Sequence, residues 1–113
     1  MSGIHIVERI STRPGAARAM AEAIRRDYLP LAGERGMTLD RILVSPPIFD
    51  PELSNEVTVL WTVPDAKAWW LMAKSGRADT RAADFWRSHA DLIVERHRSM
   101  ATGDEQVEEV CNV

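Results

Sequence analysis

At 113 residues the chain has room for one domain and one core, and 45% hydrophobic content is too high for a disordered segment. Fourteen basic against seventeen acidic residues leave a formal charge of −3, which argues against a nucleic-acid partner, since such binders concentrate positive charge against phosphates. The longest unbroken apolar run, Ala68 to Ala73, is six residues, where a membrane span needs about 20. The start, Met1-Ser2-Gly3-Ile4-His5, lacks the basic-then-apolar pattern of an export signal, so a single cytoplasmic domain over 1–113, with no membrane partner, is expected. One cysteine, Cys111, excludes an internal disulfide and any zinc site with two thiolates.

Ile4 to Ile10 predicts a first strand: its even positions are apolar apart from Glu8, and β-branched residues dominate. Ser11-Thr12-Arg13 ends it, and Pro14-Gly15 opens a helix, because proline is tolerated in a first turn. Ala17, Met20, Ala21, Ile24, Tyr28 and Leu31 recur at three- and four-residue steps, an amphipathic helix facing a core. Pro30 is predicted to bend its last turn, and Gly33 and Gly36 to stop it. Met37 to Val44 reads as a second strand, although Ile42-Leu43-Val44 blurs the alternation. A proline-punctuated loop from Ser45 to Ser54 follows. Val57, Val59, Trp61 and Val63 alternate with Thr58, Leu60 and Thr62 and predict a third strand. Pro64-Asp65 starts a helix over Ala66 to Lys74, which Ser75-Gly76 breaks. Asp79 to Met100 is predicted as one long helix, with Ala82, Trp86, Ile93 and Met100 on one stripe and His89 and His97 flanking it. The acidic tail, 101–113, ends in a predicted fourth strand from Gln106 to Val113.

The order β-α-β-β-α-β is the ferredoxin-like arrangement, an α+β fold with helices on one face of an antiparallel sheet. Its uncovered face would show Val7 and Leu60 to water, with Ile42 beside them, a poor arrangement for a soluble monomer. A second copy packed sheet to sheet is the simplest cover, so a homodimer is expected.

Three segments, Ile6 to Gly15 (IVERISTRPG), Tyr28 to Gly36 (YLPLAGERG) and Asn55 to Trp70 (NEVTVLWTVPDAKAWW), resemble the dimeric α/β-barrel superfamily, and within it the NIPSNAP-like proteins. The layout is also similar to that of antibiotic-biosynthesis monooxygenases. The resemblance, which spans Ile4 to Met100, implies a dimer whose two sheets form a barrel, with a small-molecule pocket between sheet and helices in each subunit. It also implies activities such as cofactor-free oxygenation, polyketide cyclisation or isomerisation, shared with members of no assigned activity. The haem-degrading branch matches poorly: its first-strand Asn is replaced by Glu8, its Trp is out of register with Trp69 and Trp70, and His89 falls late. No cofactor is therefore expected.

Four tryptophans, Trp61, Trp69, Trp70 and Trp86, stand against one tyrosine and two phenylalanines, and they read either as core filling or as the wall of an aromatic pocket that Ile24 would help to line. Glu8 shares the inward stripe of Ile4, Ile6 and Ile10, where a carboxylate is costly unless it is paired, neutralised or used. Used, it would be a general base; paired, it would meet an arginine such as Arg9 or Arg13. Tyr28 is the polar-tipped residue on the inward stripe of the first helix, and His89 borders that of the long helix, so Glu8, Tyr28 and His89 are the candidate acid–base set in a tryptophan-walled cleft.

Other chemistries find less support. His89 and His97, eight residues apart, would stand about 12 Å apart along one helix, too far to share a zinc ion, so no metal site is expected. No glycine-rich phosphate loop or Gly-x-Ser-x-Gly elbow occurs. His5, Arg9 and Arg41 belong to the barrel face, as interfacial ion pairs or as an acidic-ligand set, while the charges of Ile93 to Arg98 and the acidic tail read as solvated, with Cys111 an exposed thiol. The expected function is a cofactor-independent enzyme acting by isomerase-, cyclase- or dehydratase-type acid–base chemistry, or as a cofactor-free monooxygenase, on a small, largely apolar or aromatic carbonyl or phenol. The rival is a non-catalytic ligand-binding or interaction module.

Overall fold

The computed structural model describes residues 3–111. The strands are β1 (Ile4–Thr12), β2 (Thr38–Ser45), β3 (Glu56–Val63) and β4 (Ile93–Thr102), joined into one sheet in the order β2-β3-β1-β4 with every neighbouring pair antiparallel. Helices lie on one face only, so the fold is the ferredoxin-like α+β arrangement expected from the sequence, with the sheet open rather than closed.

β1 is the centre of the sheet, and its side chains follow the predicted alternation: Ile4, Ile6, Glu8, Ile10 and Thr12 are buried, while His5 and Arg9 are exposed. Its end is closed by Thr12, whose hydroxyl donates to the Asn55 carbonyl and accepts from the Asn55 amide, both at 3.2 Å. Asn55 in turn donates through its side chain to the carbonyls of Pro46 and Ile48, which ties the long β2–β3 loop to the sheet. Gly15 follows at φ +77°, with a Cβ there falling 2.7 Å from the Pro51 carbonyl oxygen, so only glycine fits this crossing.

The first helical stretch runs as α1 (Ala17–Ala23), a wide π-type turn (Ile24–Tyr28) and α2 (Leu29–Glu34). Pro30 sits in the first turn of α2, so the irregularity lies before the proline and not in a bent last turn. Pro30 has no N–H to return to the Arg26 carbonyl, which accounts for a loosened ladder at that point. The stretch buries Met20, Ile24 and Tyr28 against Ile6, Ile10, Val59 and Trp61 of the sheet.

Four expectations are corrected. α3 runs from Ala66 to Ala78, straight through Ser75-Gly76, because an interior glycine costs a helix only about 1 kcal/mol and packing outweighs it. The predicted long helix from Asp79 to Met100 is two elements, α4 (Arg81–Ser88) and β4, joined by a short turn at Ala90–Leu92. The ladder bonds β1 gains by pairing along both edges override local helical periodicity. Consequently the fourth strand is not Gln106 to Val113: a short turn at Asp104–Gln106 leads into α5 (Val107–Cys111), and the last two positions lie outside the described residues. Finally, an irregularity in the pairing between Leu39 and Arg41 shifts the phase of β2, so Ile42 faces the helices opposite Val59, and Leu43, 48% exposed, is the apolar residue on the open face.

Candidate ligand site

Glu8 lies directly across the β1–β4 ladder from Arg98, and its neighbour on the same face, Ile10, lies across from Arg96. A strand repeats every second residue, so the Arg-x-Arg spacing of β4 puts both guanidinium groups on the helix side, around the carboxylate. Arg98 donates from Nε to Glu8 Oε2 at 2.6 Å and from Nη2 to the Tyr28 hydroxyl at 2.7 Å. Arg96 donates from Nη1 to Glu8 Oε1. Glu8 is 1% exposed, whereas each arginine side chain keeps 33% of its surface. Burial is the largest single influence and works against the charge of Arg98, but Glu8 and Tyr28 together outweigh it, and its pKa stands above the ordinary arginine value. The cluster is thus a buried carboxylate with a donor on each oxygen, and a guanidinium fixed at two points.

Aromatic side chains hold the frame. The Tyr28 ring packs on Phe85 and Trp86 at 5.1 Å and on Trp61 at 5.6 Å, and the Arg96 guanidinium lies 4.2 Å from the centre of the Trp86 ring. Beside the cluster, under α3, opens a cleft of about 320 Å³ with Ile6, Trp69, Met72 and Met100 among its walls and Arg98, Arg35 and Arg77 as its polar groups. Arg98 therefore joins the buried carboxylate to the cleft. A guanidinium fixed in this way presents N–H donors to an oxygen that gains negative charge, which suits a carbonyl, enolate or phenolate.

No family model matches the sequence, and no curated protein matches it significantly. Solved structures do match. A NIPSNAP family protein of unknown function from Agrobacterium tumefaciens superposes with a TM-score of 0.66 over 89% of this chain and 87% of its own, at 16% identity. An uncharacterized NIPSNAP-like domain protein from Burkholderia xenovorans gives 0.66 over 87% and 82%, at 18% identity. The chain shares its fold with these NIPSNAP proteins. A proposed antibiotic biosynthesis monooxygenase from Bacillus cereus follows at 0.61, over 92% of this chain and 95% of its own, at 14% identity. At such identities the likeness is one of fold.

On this frame the predicted site residues separate. Glu8, Tyr28 and Trp86 come together through Arg96 and Arg98, and Trp69 lines the cleft. Trp61 and Ile24 are fully buried in the packed core. Trp70 is 56% exposed on the outer flank of α3, its ring 4.7 Å from that of Trp69. His89 caps the end of α4, with Nδ1 2.8 Å from the Phe85 carbonyl oxygen and its ring against Phe85. His97 is on β4, paired with Glu95 at 2.7 Å, so the two histidines never share a helix. His5, Arg9 and Arg41 are exposed, with Arg41 3.5 Å from Asp40.

Arg96 and Arg98 are the residues that sequence reasoning missed, and the expectation of a solvated helical face for Ile93 to Arg98 is corrected accordingly. The partners of Glu8 are these two residues, not Arg9 or Arg13. A signal existed: Ile93-Val94 is β-branched, and an inward carboxylate on one strand calls for cations at two-residue spacing on its neighbour. It was masked because both faces of β4 are polar, which silences hydrophobic alternation.

Proposed function

We propose that the protein binds a small, largely apolar or aromatic molecule in the cleft under α3, with a carbonyl or phenolic oxygen directed at Arg98. On this reading it acts on that molecule without a cofactor. The chemistry is of the isomerase, cyclase or dehydratase type, or a cofactor-free monooxygenation, through an enolate or phenolate held by Arg98. The supporting observation is the anchoring of Arg98 between Glu8 and Tyr28 while it lines the cleft. Glu8 is the base if substrate reaches its remaining lone pairs; with one guanidinium already on each oxygen, its other role is to position Arg98. Tyr28 keeps its own O–H to donate, whereas His89 acts only if it leaves the Phe85 carbonyl.

The near-complete burial of Glu8 favours a second reading, a binding module in which the ion cluster is purely structural. 2-Tetralone, a compact ketone with acidic α-hydrogens, separates the two. An enzyme should accelerate solvent-deuterium exchange into it, and Glu8→Gln should lower that rate by about 10²-fold or more while binding, measured by calorimetry, stays within about threefold. Binding without exchange selects the module, and absence of binding sinks both readings. The homodimer belongs to the same proposal, with the open sheet face bearing Leu43, Leu60 and Val7 covered by a second copy; light scattering at micromolar concentration should give twice the chain mass, and a monomer removes this element.

A further inference from the structure

We propose that the cleft under α3 is a carboxylate site, and that the acid group of its ligand is received by Arg35 and Arg77. This rests on the ligand-binding reading above and names the class of ligand. The cleft is lined by three arginines, Arg35, Arg77 and Arg98, and by no acidic residue. Arg98 is already balanced by Glu8. Arg35 is not balanced in the same way. Its side chain is 8% exposed, yet its Nη2 reaches Asp79 only at 3.5 Å, to the carboxylate and to the main-chain carbonyl alike. Arg81 holds that same Asp79 carboxylate at 2.6 Å, well inside the Arg35 distance. Nε of Arg35 is buried and has no acceptor among the described residues.

A guanidinium stripped of water and short of acceptors is the costly half of an ion pair, and a planar acid group supplies the missing half through two parallel N–H···O bonds. Gly76 keeps the approach open: α3 carries no side chain at this point, and a Cβ there would stand 3.6 Å from Arg35 Nη1. The remaining walls, Ile6, Trp69, Met72 and Met100, are apolar or aromatic, so the body attached to the acid is hydrophobic. A space of about 320 Å³ is at the small end for ligand sites and takes a compact skeleton of one or two rings.

Calorimetry on the full chain with a matched pair of probes, 2-naphthoate and 2-naphthylmethanol, tests this. The expected result is at least tenfold tighter binding of the acid by the wild type, a preference that shrinks as salt is raised. Arg35→Met and Arg77→Met should each weaken the acid fivefold or more and leave the alcohol within twofold. If Arg35→Met fails to fold, Arg77→Met and the salt series carry the same readout. Equal affinity for the two probes, or an acid preference that survives both substitutions, overturns the carboxylate assignment alone. Failure of both probes to bind overturns the ligand-binding reading and this proposal with it.

Discussion

Among the described residues, two arginine–carboxylate clusters each hold a contact of 2.6 Å and have opposite settings. In one, Arg98 meets Glu8 at 2.6 Å on the helix side of the sheet, with Arg96 on the other carboxylate oxygen. In the other, Arg81 meets Asp79 at 2.6 Å and Glu34 at 3.1 Å at the junction of α2 and α4, where all three side chains touch water. Distance alone would rank them as equals. The difference is what each partner has left when the other is removed: water rescues Asp79 or Arg81, whereas nothing rescues Glu8. A short ion pair therefore says little until burial is known.

Breaking the inner cluster should give the largest effect. Glu8→Ala leaves two half-buried guanidinium groups without their carboxylate and opens a void beneath them, and a loss of about 3–5 kcal/mol in denaturant unfolding is expected. The triple change Glu8→Leu, Arg96→Met, Arg98→Met should recover most of that loss, because well-packed apolar groups replace buried ion pairs at little or no cost. If Glu8→Ala is as stable as the wild type, the contrast between the clusters collapses. Tyr28→Phe removes only the acceptor of Arg98 Nη2, and a smaller decrease of about 1–2 kcal/mol is expected, with the aromatic packing on Trp61, Phe85 and Trp86 retained.

The outer cluster should barely respond. Arg81→Ala is expected to shift the melting temperature slightly at low salt and not measurably at high salt; a shift matching that of Glu8→Ala would place this cluster with the buried one. The smallest effect is a pH dependence. Hydrogen bonds from Arg81 hold the Asp79 carboxyl well below its ordinary 3.8, against a desolvation that pushes the other way. A group with a depressed folded pKa adds stability above its unfolded value and loses it as pH falls towards the folded one. The gap in melting temperature between wild type and Asp79→Asn should therefore be steady from pH 7 down to about 5 and narrow below about pH 4. A gap that widened in acid would contradict this assignment.

The same contrast governs what the sequence alone displays. The inward carboxylate of β1 was visible because Ile4, Ile6 and Ile10 alternate around it, and β3 was visible for the same reason, whereas the alternation of β2 is broken. The partners of Glu8 were not visible, because β4 carries Glu95, Arg96, His97, Arg98 and Ser99 in succession, a run that states no period and looks like the surface of a helix. The cleft was hidden too. No local signal singles out Arg35, and Ser75-Gly76 reads as a helix breaker; only the packing of α3 over the end of α2 makes Arg35 and Gly76 neighbours.

Local chemistry by itself determined the antiparallel ferredoxin-like class and the inward placement of Glu8, where a carboxylate must be paired, neutralised or used, since these depend on periodicity and on the cost of burying charge. The tertiary structure alone decided that residues 93–102 form an edge strand and not the second half of a helix, and thereby which cations meet Glu8. The reason is that strand pairing is a contact between residues some ninety positions apart, and no local window along the chain contains it.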